Sequence, residues 1–146
     1  MASLTHTPRD AKLLGLLAHI HAKAGALRRA LAWSERALEI DKSDADAHYL
    51  HATILSGLAQ DAAAVRALNR ALDLAPDHAL AHYRLGVIAL RDRAAVRARA
   101  HIEYARTILA GRPRNEMVDA IDGLTHGKLL SIVQALAQHL AQGRGA

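Results

Sequence analysis

The chain contains no cysteine in its 146 residues, so neither a disulfide framework nor a thiolate metal site is available to it. It also has no phenylalanine, and its aromatics are only Trp33, Tyr49, Tyr83 and Tyr104. The core must be built from Leu, Ile, Val and Ala, which suits helices that approach closely. Proline occurs three times, and no stretch alternates apolar and polar residues as a half-buried strand does. An all-α chain without strands is expected. No apolar run approaches the length that spans a bilayer, and no signal peptide precedes the first helical pattern. A cytoplasmic protein without membrane insertion is expected.

What is present is alanine and leucine, with 51% of residues apolar, enough for a core in what length suggests is one domain. The net charge is +5, from 19 basic and 14 acidic side chains. Arg91, Arg93, Arg97, Arg99, Arg106, Arg112 and Arg114 crowd one stretch. Such a patch can meet phosphate or an acidic protein surface, but a solvated outer face of long helices explains it more simply. Nucleic-acid binding is a minor alternative. With few aromatics to stack bases it would be sequence-blind and salt-sensitive.

Small residues recur at equal steps. Ala30, Ala64 and Ala98 are 34 apart, as are Ala37, Ala71 and Ala105, and Ala18, Ala52 and Gly86 keep the same register. The surrounding text returns with them: RRALAWSERALEI, AAVRALNRALDLAP and VRARAHIEYARTIL. A period of about 34 residues with small residues at fixed places resembles the tetratricopeptide repeat, a helix–turn–helix unit. The expected architecture is an all-α solenoid of three such repeats, at 11–44, 45–78 and 79–110. A linker over 111–123 and a capping helix over 124–142 follow. Residues 1–10 show no periodicity and are expected to lie outside the fold, the tail 143–146 to fray, and the chain to be part of a longer protein.

Local signals fit this division. Gly25 breaks the first pair, Ser43 and Asp44 offer caps to the second, Asp61 to its return helix and Asp77 to the third pair, and Pro76 closes the helix before it. Thr125 is the natural N-cap of the last helix. Its Leu129, Val133, Leu136 and Leu140 form one stripe, leaving a polar side to end the stack.

The end of the chain carries a second resemblance. SDADAHYLHATIL, APDHALAHYRLGVIAL and DGLTHGKLLSIV resemble the C-terminal repeat domain of CheR-type chemoreceptor methyltransferases of the Wsp and Frz pathway kind. In those, units such as DAHYLLG and LDPDFALAHF precede a closing DGLTAG segment. The matching positions are Asp46 to Tyr49, Leu74 to His82 and Asp122 to Gly127, and the likeness spans about Ala11 to Ala141. His51 departs from a preferred Leu, Ala52 from Gly and Tyr83 from Phe. The resemblance implies a parent enzyme that methylates receptor glutamates from S-adenosylmethionine. This chain has no glycine-rich loop after a strand, so it is expected to be the non-catalytic accessory domain.

The inner wall of such a stack is one face of the first helix of each pair. Steps of 34 place Lys12, His19 and Lys23 there from the first pair, Asp46, Tyr49, Thr53 and Ser56 from the second, and Leu80, Tyr83, Val87, Leu90 and Arg91 from the third. The two tyrosines present flat apolar bodies with a hydroxyl. Lys12, Lys23 and Arg91 add positive potential. The expected partner is a protein or peptide of acidic character: a chemoreceptor, another chemosensory protein, or the parent's own catalytic domain. Gly15, His19 and Leu50 stand where a carboxylate clamp for chaperone tails needs Lys or Asn, which disfavours that role.

No cofactor is expected. His78 with His82, and His48 with His51, have helical spacing, yet zinc would want further ligands. His48 and His82 stand at equivalent repeat positions, which points to packing. Ser34, Ser43, Ser56 and Ser131 have no activating His and acid motif, and Asp44, Asp46, Asp61 and Asp77 sit where helix starts explain them.

Overall fold

The structure, a computed structural model, describes residues 8–119 and 123–142. Among the described residues it is all-α apart from one short hairpin, and the chain divides into two compact units between Pro76 and Asp77. A division between helix pairs is natural in a repeat chain, where each pair contacts only its neighbours.

The first unit holds α1 (Pro8–Lys23), α2 (Leu27–Ile40), α3 (Ala45–Gly57) and α4 (Asp61–Leu74). α1 packs on α2, α2 on α3, and α3 on α4. α1 begins at Pro8, ahead of the expected Ala11, because proline is tolerated in a first turn, where its missing N–H has no partner to lose. Residues 1–7 of the aperiodic N-terminal stretch lie outside the described residues. The second unit holds α5 (Ala79–Arg91), α6 (Ala95–Ala110), β1 (Met117–Asp119), β2 (Leu124–Thr125) and α7 (His126–Gln142).

The 34-residue period is a packing seam. Ala30, Ala64, Ala98, Ala71 and Ala105 are wholly buried, as is Ala18, with Ala37 and Ala52 nearly so. Each lets one backbone lie against its neighbour.

The period also governs the turns. The N–H of Gly25 donates to the Ala22 carbonyl and that of Ala26 to His21. Ala59 and Gln60 repeat this onto Ser56 and Leu55, and Arg93 and Ala94 onto Leu90 and Ala89. These paired bonds close each first helix in a Schellman turn, which requires a left-handed residue. Gly25, Ala59 and Arg93 supply it, with φ of 84°, 61° and 59°.

The caps differ from expectation in three places. Asp44 does cap α3, accepting from Asp46 N–H at 3.0 Å. Ser43, however, turns back: its hydroxyl and N–H both bind Asp41, and these bonds hold the Asp41 carboxyl below its ordinary pKa. α5 is capped by His78, whose Nδ1 accepts from Ala81 N–H, while Asp77 pairs instead with Arg112. His78 is the residue 34 beyond Asp44, so the repeat register wins over residue type. Asp61 is the first helical residue of α4, not its cap, and it accepts from the Ser56 hydroxyl at 3.4 Å. A carboxylate in the first turn still complements the helix dipole.

The expectation of a strandless linker is also corrected. β1 and β2 pair antiparallel, Met117 with Thr125 and Asp119 with Leu124. Strands of three and two residues are too short to show alternation in sequence, and they take Leu124 and Thr125 from the expected helix. The turn after α6 also starts α7. His126 N–H donates to the Glu116 carbonyl at 2.8 Å, Gly127 N–H to Arg114 at 2.9 Å, and Lys128 N–H to Thr125 Oγ1 at 3.2 Å. Three orphan donors of a helix start are thereby satisfied. A side chain at Gly127 would put Cβ 3.0 Å from the Arg114 carbonyl. α7 packs on α6 through buried Leu129, Leu130 and Val133, with Leu136 and Leu140 half-buried. Its other side shows Lys128, Ser131, Gln134 and Gln138 to solvent. The frayed tail expected at 143–146 lies outside the described residues, as does Asp122 of the closing motif.

Candidate functional site

In the first unit, Asp46, Tyr49, Thr53 and Ser56 share one face of α3, being three, four and three residues apart. Asp46 is exposed and the other three are half-buried. Thr53 donates its hydroxyl to the Leu50 carbonyl at 2.8 Å, leaving its methyl as the exposed chemistry. On neighbouring α1, Lys12 and Lys23 are exposed and His19 is half-buried. Lys12 Nζ lies 3.8 Å from Asp44 Oδ2, bridging α1 to the start of α3.

In the second unit, Tyr83, Val87 and Leu90 form a half-buried apolar stripe on α5 and Arg91 is exposed at its end. Leu80 is corrected from surface to core: it is 8% exposed and so has little area to offer a partner. The two faces therefore differ in chemistry. The first is polar and charged around Tyr49; the second is apolar around Tyr83.

His48, His78 and His82 have structural duties. His48 is buried with Nε2 2.9 Å from the Lys42 carbonyl, and His82 is buried, stacked on Tyr104 with ring centroids 5.1 Å apart. His82 Nδ1 also lies 3.3 Å from His101 Nδ1, so one ring donates to the other. His78 and His82, paired by spacing in the sequence, serve as a cap and a packing ring. Among the described residues no group of three or more His, Asp or Glu could hold a metal ion.

Burial pushes the His101 pKa down, helped by nearby His82 and Arg97. Burial also lowers that of His51. Glu35 opposes the shift there, while His48 and Arg70 add to it, and among the described residues His51 Nε2 has no hydrogen-bond partner.

The serines are committed to local structure: Ser34 is buried, Ser43 binds Asp41, and Ser131 donates to the Gly127 carbonyl. The arginine patch is partly neutralised, with Arg106 on Glu103 and Arg112 on Asp77. Among the described residues no helix is long and apolar enough to cross a membrane.

The His82–His101–Tyr104 cluster was not legible as a unit, because its members come from two helices whose facing registers the period alone does not give. An apolar stripe on α1, Leu13, Leu16, Leu17 and Ile20, was also missed, although its 3–1–3 spacing is visible.

Residues 11–44 and 45–78 each match the family model of the tetratricopeptide repeat. These two helix pairs are tetratricopeptide repeats. α5 and α6 repeat their turn, cap register and buried alanines, which makes three repeats followed by a closing helix. Among curated proteins no sequence matches the chain.

Solved structures share the fold at low identity. The type III secretion translocator chaperone SycD of Yersinia enterocolitica superposes with a TM-score of 0.83 at 11% identity, over 97% of this chain and 90% of that one. PcrH, in complex with the chaperone binding region of PopD, gives 0.72 at 16%, over 92% and 98%. The first repeat domain of Spaghetti (RPAP3), bound to the HSP90 peptide SRMEEVD, gives 0.69 at 17%, over 92% and 99%. These structures share the all-α repeat fold of this chain.

Proposed function

We propose that the Tyr49 face of α3 and the Tyr83 face of α5 each engage a partner protein. The observation that carries this reading is the recurrence of a half-buried tyrosine at equivalent places of two repeats, flanked in the second by Val87 and Leu90. Each ring offers apolar area and a hydroxyl at low entropic cost. Support comes from the similar structures, since SycD has been solved with a peptide of the translocator YopD and PcrH with a region of PopD. Lys12, Lys23 and Arg91 favour a segment of acidic character. Gly15, His19 and Leu50 supply no carboxylate clamp, so recognition rests on the segment's side chains rather than on a chain terminus.

In its native polypeptide the domain serves, in this reading, as the accessory domain of a CheR-type methyltransferase, recruiting a receptor or pathway protein. Tethering raises the effective concentration of the enzyme near its glutamates without touching chemistry. The support is the motif likeness from Asp46 to Gly127. A stand-alone scaffold is the second reading, favoured by the structural duties of Gly123, Thr125 and Gly127. These form the turn and cap that start α7 and need no enzyme to explain them.

Immunoprecipitation of the native protein separates the two. Upstream methyltransferase peptides with a chemoreceptor support the first, and a short polypeptide with unrelated partners removes it. The faces are tested by Tyr49→Ala and, separately, Tyr83→Ala, each of which should weaken capture of the co-purified partner while leaving helical content intact. Unchanged capture would discard these faces.

A further inference from the structure

The outward stripe of α1 stands where later repeats are covered. Leu13, Leu16, Leu17 and Ile20 are 54%, 42%, 38% and 53% exposed. Moving by 34, Ile20 becomes Ile54 and then Ile88, and these are 1% and 3% exposed. Ile54 is buried in a cluster with Ala18 and Ala30, against which Leu31 and Trp33 pack. Ala30, Leu31 and Trp33 belong to α2, the return helix of the preceding pair. Among the described residues α1 carries the same isoleucine at the same register with no such helix over it, while its opposite side, Ala11 and Ala18, is buried toward its own pair.

The edges of this stripe differ in charge. At 100° per residue, Lys12 and Lys23 fall along one flank of the stripe and Asp10 and His21 along the other, while Arg9 falls at the N-terminal end of the stripe itself. Arg9, Lys12 and Lys23 are exposed; Lys12 reaches Asp44 only at 3.8 Å and its side chain stays 77% exposed.

We propose that the Leu13–Leu16–Leu17–Ile20 face of α1 docks an amphipathic helix of a partner protein, with acidic residues along one flank, in the place of a preceding return helix. The apolar stripe supplies the driving force and the basic flank the orientation, in the manner of a helix laid on an apolar surface. A second copy of this chain fits less well. Two α1 helices bring six cations and two carboxylates to the joint, and antiparallel pairing sets Lys23 of one against Arg9 and Lys12 of the other.

The test is fluorescence anisotropy of the whole chain with a labelled 18-residue synthetic helix bearing a Leu/Ile stripe and glutamates on one flank. The same helix with lysines for glutamates is the control. The acidic helix should bind at least tenfold more tightly, and Leu13→Ser with Ile20→Ser should weaken it at least tenfold. Ile132→Ser on α7 and the Tyr49→Ala and Tyr83→Ala variants should leave it unchanged, which separates this face from the tyrosine faces. Should the serine variant fail to melt cooperatively, Lys12→Glu with Lys23→Glu takes its place and should reverse the preference toward the lysine helix. Equal binding of the two helices, or of parent and variant, overturns the proposal. So does a dimer in sedimentation that the serine variant dissociates, which would give the face to a second copy.

Discussion

Gly86 passes so close to Ile102 that a Cβ added there would stand 2.7 Å from Cδ1 and 2.9 Å from Cγ1. The first two repeats place Ala18 and Ala52 at this register, and the residue opposite Gly86, Ile102, corresponds to Leu68 in the second. A β-branched residue on α6 thus pairs with the loss of a methyl on α5. Gly86→Ala should destabilise the chain by about 1–3 kcal/mol, the usual range for overpacking. Adding Ile102→Leu, which recreates the Ala–Leu combination of the second repeat, should recover most of that loss. Denaturant midpoints of the two single variants and the double variant measure the coupling; strict additivity would show that the contact is not the cause.

The three left-handed turn residues make a second prediction. Gly25 has open space where a Cβ would be, so Gly25→Ala is a purely conformational change at φ 84° and should cost about 1 kcal/mol. The converse holds at Ala59 and Arg93, which already bear that strain at φ 61° and 59°. Ala59→Gly and Arg93→Gly should each stabilise by about 0.5 kcal/mol, the strain relieved less the entropy that glycine loses on folding. Thermal melts that fall on either substitution would contradict this account.

These turns show how far the sequence could be read. The step of 34 located eight buried alanines, though not Ala67, Ala81 or Ala89, and with them the helix pairs, because small residues at a close approach leave few alternatives. It did not reveal the left-handed turns at 59 and 93, since only Gly25 advertises its conformation. Nor did residue type find the cap of α5: Asp77 is the better capping residue, but His78 holds the register. β1 and β2 were invisible because their pairing rests on backbone bonds that no side-chain pattern encodes. The candidate faces were readable as helix positions, and only the packing could show that Leu80 is buried while Leu13 and Ile20 are not.

Enlarging the seam is expected to be costlier than changing its flanks. Ala64 and Ala98 are 0% exposed, so Ala64→Leu or Ala98→Leu must displace a neighbouring backbone, at roughly 1–3 kcal/mol. Val96, at 77% exposure beside Ala98 in sequence, should accept Ala with a change within about 0.5 kcal/mol. Melting temperatures of the three variants decide, and a parent-like melt for either leucine variant would remove the seam from the explanation of the period.

Acid should destabilise the chain through His51 and His101. Burial holds the pKa of both below the ordinary value; for His51, Glu35 opposes the shift while His48 and Arg70 add to it. In the unfolded chain each takes its proton near pH 6.5, whereas in the folded chain it stays neutral to lower pH. Below about pH 6.5 the unfolded state therefore binds more protons and stability falls; above it, neither state is charged at these rings and stability is level. His51→Leu removes a ring whose Nε2 finds no partner among the described residues. Combined with His101→Leu, it should flatten the dependence of melting temperature on pH between 7.5 and 5.5. A slope equal to the parent's would assign the acid sensitivity to other groups.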